Sequence, residues 1–172
     1  METRITAYPS NIQNEQLVLG HMFRDNHLFW KINSFLKDSH FFEPVHQRIY
    51  AAFCEAIEKG AVTPVTLKAQ FDEDIQLKPI GGAEYLAKVT CMAIMPVYDM
   101  EGSANLILDL ARRRDLINLG IKTAAEAQDM QSQQDVSSLA SSVLSAASAI
   151  ISDTKATSFK DGYGVVSDIM AG

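Results

Sequence analysis

The stretch from Val136 to Ser152 constrains the fold most, because it carries no charge and no aromatic side chain yet keeps an unbroken helical rhythm. Val136, Leu139, Ala140, Val143, Leu144, Ala147, Ile150 and Ile151 recur at spacings of three and four, with serine at most positions between them. A helix of that pattern has an apolar stripe and a thinly polar back, which suits it to packing against another helix rather than to carrying chemistry. Seven serines interrupt the run, and it is shorter than the ~20 apolar residues a membrane crossing needs. It reads as an assembly device.

The aromatic residues draw a boundary. Of the eight Phe, five Tyr and one Trp, all but Phe159 and Tyr163 lie between Tyr8 and Tyr98, and none occurs from Asp99 to Ser158. Aromatic side chains bury large areas and dominate cores. The sequence therefore predicts a tail over residues 1–9, a compact head over 10–98, a helical hairpin over 99–153 and a linker over 154–172. Pro96, Gly102 and Ser103 are expected to mark the joint between head and hairpin.

Within the head the helix signals come in short units. Ser10 or Asn11 can cap a helix running through Leu17 and Leu19 to Phe23, which Asp25 and Asn26 break. Leu28, Phe29, Ile32, Phe35 and Leu36 share one face of a second unit. Pro44, a good first-turn residue, opens a third that carries Val45, Ile49, Ala52, Phe53, Ala56 and Ile57 and stops at Gly60. Thr66 is the expected cap of a short helix to Phe71, and Gly81-Gly82 turns the chain into a helix holding Tyr85, Leu86 and Val89. No strand alternation competes, so the expected class is all-α: a bundle of short helices followed by a long helical hairpin, ending in the start of a linker helix.

The first arm of the hairpin is expected to begin after Ser103 and to run through Leu106, Leu110, Ile117, Ile121 and Ala124. Gln128 to Asp135 is polar and makes the turn, and the stripe described above is the second arm. Two antiparallel arms hide only one face of each. A second copy of the hairpin would cover the rest by twofold symmetry, so Leu106, Leu110, Ile117, Ile121, Leu139, Val143, Ala147 and Ile150 are the candidate self-association residues. After Asp153 the texture turns to Thr, Lys, Ser and Gly, and then to a short apolar cluster, Val165, Val166, Ile169 and Met170. A helix of that size does not persist alone.

Charge and motifs exclude much. With 15 basic against 21 acidic residues, net charge −6, the chain lacks the clustered cations that displace counterions from nucleic acid. Cys54 and Cys91 lie far apart with no CxxC pair and read as reduced core residues. His21, His27, His40 and His46 show none of the spacings that bring two imidazoles to one metal, and His46 reads as a buried hydrogen-bonding residue at a helix amino terminus. No nucleophile motif and no phosphate-binding G-x-x-x-x-G-K-S/T is present, so neither catalysis nor a cofactor is expected of this chain. The mixed polarity of the first twenty residues is unlike a secretory signal, and a cytoplasmic location without membrane contact is expected. Arg112, Arg113 and Arg114 are candidate partner contacts. Asp109 and Asp115 flank them, however, and Asp109 can pair with Arg112 or Arg113 at helical spacing, so a solvated or interface-bridging face accounts for them better. Met92, Met95 and Met100 fit adaptable contact surface or core filling.

Several runs resemble, in order and at matching distances, the amino-terminal domain of the DnaB-type replicative DNA helicases. They are Pro9-Ser10-Asn11, Glu15-Gln16-Leu17-Val18-Leu19-Gly20, Phe41-Phe42-Glu43-Pro44-Val45-His46-Gln47-Arg48-Ile49-Tyr50, Gly60 with Val65-Thr66-Leu67, Ile80-Gly81-Gly82-Ala83-Glu84-Tyr85-Leu86, and Ala111-Arg112-Arg113-Arg114-Asp115-Leu116-Ile117. Gln13 and Asn14 depart from the family, which usually has Glu and Ala there. The resemblance implies a helical head with a hairpin that pairs, six subunits forming a collar as a trimer of dimers, and recruitment of the carboxy-terminal domain of primase and of a helicase loader. It further implies that ATP, magnesium and contact with DNA belong to a separate motor domain of an ATP-dependent parent helicase, in a bacterial or phage-infected cell. A different class, a stand-alone helical adaptor similar to the helicase-binding module of a primase, is the alternative. Self-association separates the two.

Overall fold

The structure, a computed structural model, describes residues 7–72, 81–93, 99–129 and 135–152. The expected linker, its apolar cluster, Met95, Pro96 and most of the hairpin turn lie outside the described residues. All regular structure within them is helical: α1 (Ile12–Arg24), α2 (Phe29–Ile32), α3 (Pro44–Ile57), α4 (Pro64–Asp72), α5 (Ala83–Met92), α6 (Met100–Gln128) and α7 (Val136–Ser152). The all-α class expected from the sequence is the class observed.

Local chemistry explains most boundaries. Asn11 caps α1, its side-chain oxygen accepting from the Asn14 amide at 3.0 Å. Asp25 ends α1 and its carboxylate accepts from the His27 amide, starting a short 3-10 turn, Asn26–Leu28, before α2. The second unit is thus split and shorter than its apolar periodicity suggests, although Phe29, Ile32 and Leu36 all turn inward. Pro44 occupies the first turn of α3. Thr66 does not cap α4: Thr63 does, and the two exchange bonds, the Thr66 amide donating to Thr63 Oγ1 at 3.2 Å and the Thr63 amide to Thr66 Oγ1 at 2.9 Å. Pro64 fixes the first helical residue, so the cap falls one place before it. Gly81 and Gly82 have φ of +107° and +55°, the left-handed conformation that the entry to α5 requires.

The core is one aromatic-rich cluster. Phe53 of α3 sits edge-on to Phe23 with centroids 5.5 Å apart and tilted against Phe29 at 5.4 Å, while Tyr50 meets Phe41 at 5.1 Å. Leu19 and Met22 from α1 and Leu86 and Val89 from α5 complete it. Alpha-1 and α5 approach closely at Gly20, where a Cβ would fall onto the Val89 carbonyl oxygen.

The long helix α6 belongs to both halves of the molecule. Met100, Ala104, Ile107, Leu108 and Ala111 are buried in the head. Its 29 residues make a rod of about 43 Å at 1.5 Å per residue, and α7 packs back along it. The helix begins at Met100, not after Ser103, because the Asp99 carboxylate accepts from the Gly102 amide at 2.6 Å and caps it. Gly102 and Ser103 therefore lie in its first turn rather than at a joint, and a Cβ on Gly102 would strike that carboxylate. The cysteines differ from expectation too. Cys54 is half-buried but Cys91 is exposed, since α5 turns Val89 inward and two residues further round the helix points away.

Candidate interaction site on the helical hairpin

No residue of α7 is fully buried. Leu139, Val143, Ala146, Ala147 and Ile150 are half-buried along one side, and α6 is the element α7 packs against. At about 100° per residue, Leu144 and Ile151 come round to a flank roughly 120–140° away from Leu139. There they are 70% and 63% exposed, and Val136 at the start of the helix is 83% exposed. The single stripe seen in the sequence is therefore two faces, an inner one and an open one.

On α6, Leu106, Leu110, Ile117 and Ile121 fall on one line along the helix. Leu110 and Ile117 are half-buried, while Leu106 and Ile121 are 40% and 48% exposed. Leu116 is 52% exposed on another flank. The hairpin thus offers apolar side chains to solvent on both arms. Leu144, Ile151 and Leu116 are open positions outside the expected self-association set. The signal of Leu144 and Ile151 is present in the stripe, but an Ala/Ser background does not reveal which side faces the partner arm, and Leu116 lies off the Leu106-to-Ile121 line of α6.

The arginine run divides by position. Arg113 pairs with Asp109 at 2.7 Å on the exposed surface, the i,i+4 contact the spacing offered, and its pKa is raised by that hydrogen bond. Arg114 points into the head: its guanidinium donates to the Pro9 carbonyl at 2.9 Å and the His40 carbonyl at 2.6 Å and lies over the Phe42 ring, 5.5 Å from its centroid. Burial lowers its pKa, with the Glu15 and Asp115 carboxylates acting in the opposite sense. Asn14, the departure noted above, donates to the Ser103 carbonyl at 2.8 Å, and Tyr8 donates to Asn118 Oδ1 at 2.8 Å. Arg114, Asn14 and Tyr8 root the hairpin in the head.

Beside Arg114 runs a polar chain through the core. Glu15, 2% exposed, accepts from the Phe42 amide at 2.6 Å, the Glu43 amide at 3.3 Å and His46 Nδ1 at 2.7 Å. His46 Nε2 lies 2.8 Å from the Tyr85 hydroxyl, which Gln16 Nε2 also reaches at 3.0 Å. One order satisfies every donor: Gln16 donates to Tyr85, Tyr85 to His46 Nε2, and His46 Nδ1 to Glu15. The carboxylate also meets the free amides at the start of α3, where a negative charge is favoured. His46 is indeed a buried hydrogen-bonding residue at a helix amino terminus.

An acid, an imidazole and a hydroxyl in series resemble a catalytic relay, yet the setting is structural. His46 is wholly buried, the Tyr85 proton is engaged, and burial, with the Glu43 and Glu15 carboxylates, raises the Tyr85 pKa against the Gln16 bond. The chain joins α1, α3 and α5. Glu15 could have been found from the sequence, because it sits three and four residues before Val18 and Leu19, on the inward face of α1. Among the described residues no cluster of His, Cys, Asp and Glu could hold a metal, and no helix is long and apolar enough to cross a membrane.

Comparisons with known proteins bear on the whole arrangement. A family model described as DnaB-like helicase N terminal domain matches residues 7–109. The replicative DNA helicase DnaB of Rickettsia typhi is 44% identical over 113 residues, 65% of this chain and 22% of that protein. The corresponding helicase of Geobacillus stearothermophilus is 28% identical over 129 residues, 74% of this chain and 28% of that one. The chain therefore spans between 22% and 28% of the length of these two relatives. The crystal structure of the N-terminal domain of DnaB helicase from Mycobacterium tuberculosis shares the fold, with a TM-score of 0.73 at 23% identity, over 83% of this chain and 99% of that one.

Proposed function

Because the chain belongs to the family of DnaB-like helicase N-terminal domains, we propose that it is the collar of a replicative DNA helicase, supporting hexamer assembly as a trimer of dimers and recruiting primase at the replication fork. The observation that carries this reading is the apolar surface that both arms of the hairpin leave open, Leu144 and Ile151 on α7 and Leu106 and Ile121 on α6. Covering a Leu or Ile side chain completely is worth about 1.5–3 kcal/mol, and a twofold contact repeats each burial. The family match ends at residue 109, so most of this surface is supported by the likeness in fold and by its own exposure. ATP hydrolysis, magnesium and movement on DNA belong, on this reading, to a motor domain of the longer cytoplasmic protein, and a helicase loader is a further partner of the assembly.

Sedimentation velocity across a concentration series tests it, with and without a primase carboxy-terminal domain. The native chain is expected to self-associate, and Leu144→Glu with Ile151→Glu is expected to leave monomers with unchanged helix content. Leu139 and Val143 are poorer probes, because they face α6 and their loss would open the hairpin itself. An oligomer mass unaffected by the two substitutions would refute the assignment of the flank. A strict monomer at every concentration that still binds helicase would fit the adaptor reading instead.

A further inference from the structure

A cavity of about 470 Å³ opens between α2 and α3. Its floor is apolar: Phe29, Leu36 and Tyr50 are buried and Cys54 is half-buried, and the Tyr50 hydroxyl is already satisfied by the Leu36 carbonyl at 3.1 Å. One wall is Trp30, 56% exposed and packed edge-on against Phe29 with centroids 5.1 Å apart. The rim is acidic. Asp38, Glu55 and Glu58 line it against one cation, Lys37. The field is felt inside, where the Cys54 thiol is pushed up to about 11, first by burial and then by those three carboxylates.

An exposed indole beside an apolar floor is unusual on a free surface and typical of a contact anchor. The carboxylates would repel phosphates, which argues against nucleic acid or an anionic membrane as the occupant. They would instead hold ammonium or guanidinium groups placed around an apolar side chain. We propose that the groove between α2 and α3 docks a basic amphipathic segment of a partner protein, its apolar residue against Trp30 and its cations on Asp38, Glu55 and Glu58. The proposal does not depend on the collar reading, since a domain of either class can carry such a surface.

Trp30 is the only tryptophan of the chain, so its emission reports on this groove directly. The probe is a short capped peptide of Leu and Lys in helical spacing, titrated against the full chain, with Leu/Glu and Ser/Lys peptides as comparisons. The Leu/Lys peptide is expected to give a saturable blue shift, weaker at high salt, and neither comparison peptide to match it. Glu55→Lys with Glu58→Lys is expected to weaken binding by about tenfold or more, whereas Glu101→Lys on α6 leaves it unchanged. An equal response from the Leu/Glu peptide, no response to the Leu/Lys peptide, or equal losses in the Glu55/Glu58 and Glu101 variants would overturn the proposal. A shift that grows with protein concentration alone would assign the groove to a second copy, and a stronger response to a peptide of residues 153–172 would assign it to the chain's own carboxy-terminal segment. Both results would also overturn the proposal.

Discussion

Glu15→Ala removes the acceptor shared by three donors at the start of α3. The Phe42 and Glu43 amides lie at the partly exposed start of α3 and can turn to water, but His46 is fully buried and its Nδ1 is bonded to Glu15. A buried donor left without an acceptor costs about 1–3 kcal/mol, and hydrogen bonds to a charged group contribute about 1.5–3 kcal/mol. The lost carboxylate at the α3 amino terminus adds roughly 0.3–1 kcal/mol. Together these place the loss near 3 kcal/mol, on the order of 10 °C in melting temperature at about 2–4 °C per kcal/mol for a chain of this size. Tyr85→Phe removes only the far hydroxyl of the chain and is expected to cost about 1 kcal/mol. Urea and thermal unfolding followed by far-ultraviolet circular dichroism would measure both. A Glu15→Ala loss below about 1 kcal/mol, or one equal to that of Tyr85→Phe, would show that the carboxylate does not hold the three helices together.

Two further predictions concern α1. Gly20→Ala gains about 1 kcal/mol of helix propensity but drives a methyl into the Val89 backbone, an overpacking that costs about 1–3 kcal/mol; net destabilisation is expected, and a rise in the urea midpoint would refute the close approach of α1 and α5. His21 is 5% exposed and its Nε2 has no hydrogen-bond partner among the described residues, and burial, followed by Arg24, lowers its pKa below 6.5. The unfolded chain therefore takes up this proton more readily than the folded one, so stability is full above the ordinary histidine range and falls as pH drops through about 6.5. Urea midpoints of native and His21→Gln protein on either side of that pH should diverge, and parallel pH dependences would exclude the effect.

The sequence was most legible where a cap or a glycine met an apolar face. Asn11 with Leu19 and Met22, Pro44 with Ile49 and Phe53, and Gly81-Gly82 with Leu86 and Val89 each join a boundary signal to a helical period, and the helices lie there. Legibility failed where two residues competed for one role. Thr63 and Thr66 are both good caps, and Pro64 decides between them only through the geometry of the first turn. Gly102 and Ser103 look like a break, yet Asp99 recruits them into α6. Long-range polar contacts left weaker traces. Glu15 meets His46 across 31 positions, and Arg114 reaches Pro9 across 105, whereas Asp109 offered the arginines a local partner, which Arg113 takes.

The Arg114 contacts also explain why the hairpin can act as a fixed lever. Three turns of α6 are built into the head core, and just beyond them Arg114 joins the Pro9 and His40 carbonyls, so the rod leaves the head in a set direction. Among the described residues the second arm shows no comparable hydrogen bond to the head. A helix of 17 residues with no fully buried side chain is close to the length at which isolated helices are marginal, roughly 12–15 residues, and Ser-rich composition lowers its propensity further. Its inner side has α6 to pack on, while Leu144 and Ile151 face solvent. On the collar reading, a neighbouring hairpin supplies the missing cover, and the stability of α7 then depends on assembly while that of the head does not. The division follows from where the burial is: aromatic and dense before residue 99, thin and one-sided after residue 111.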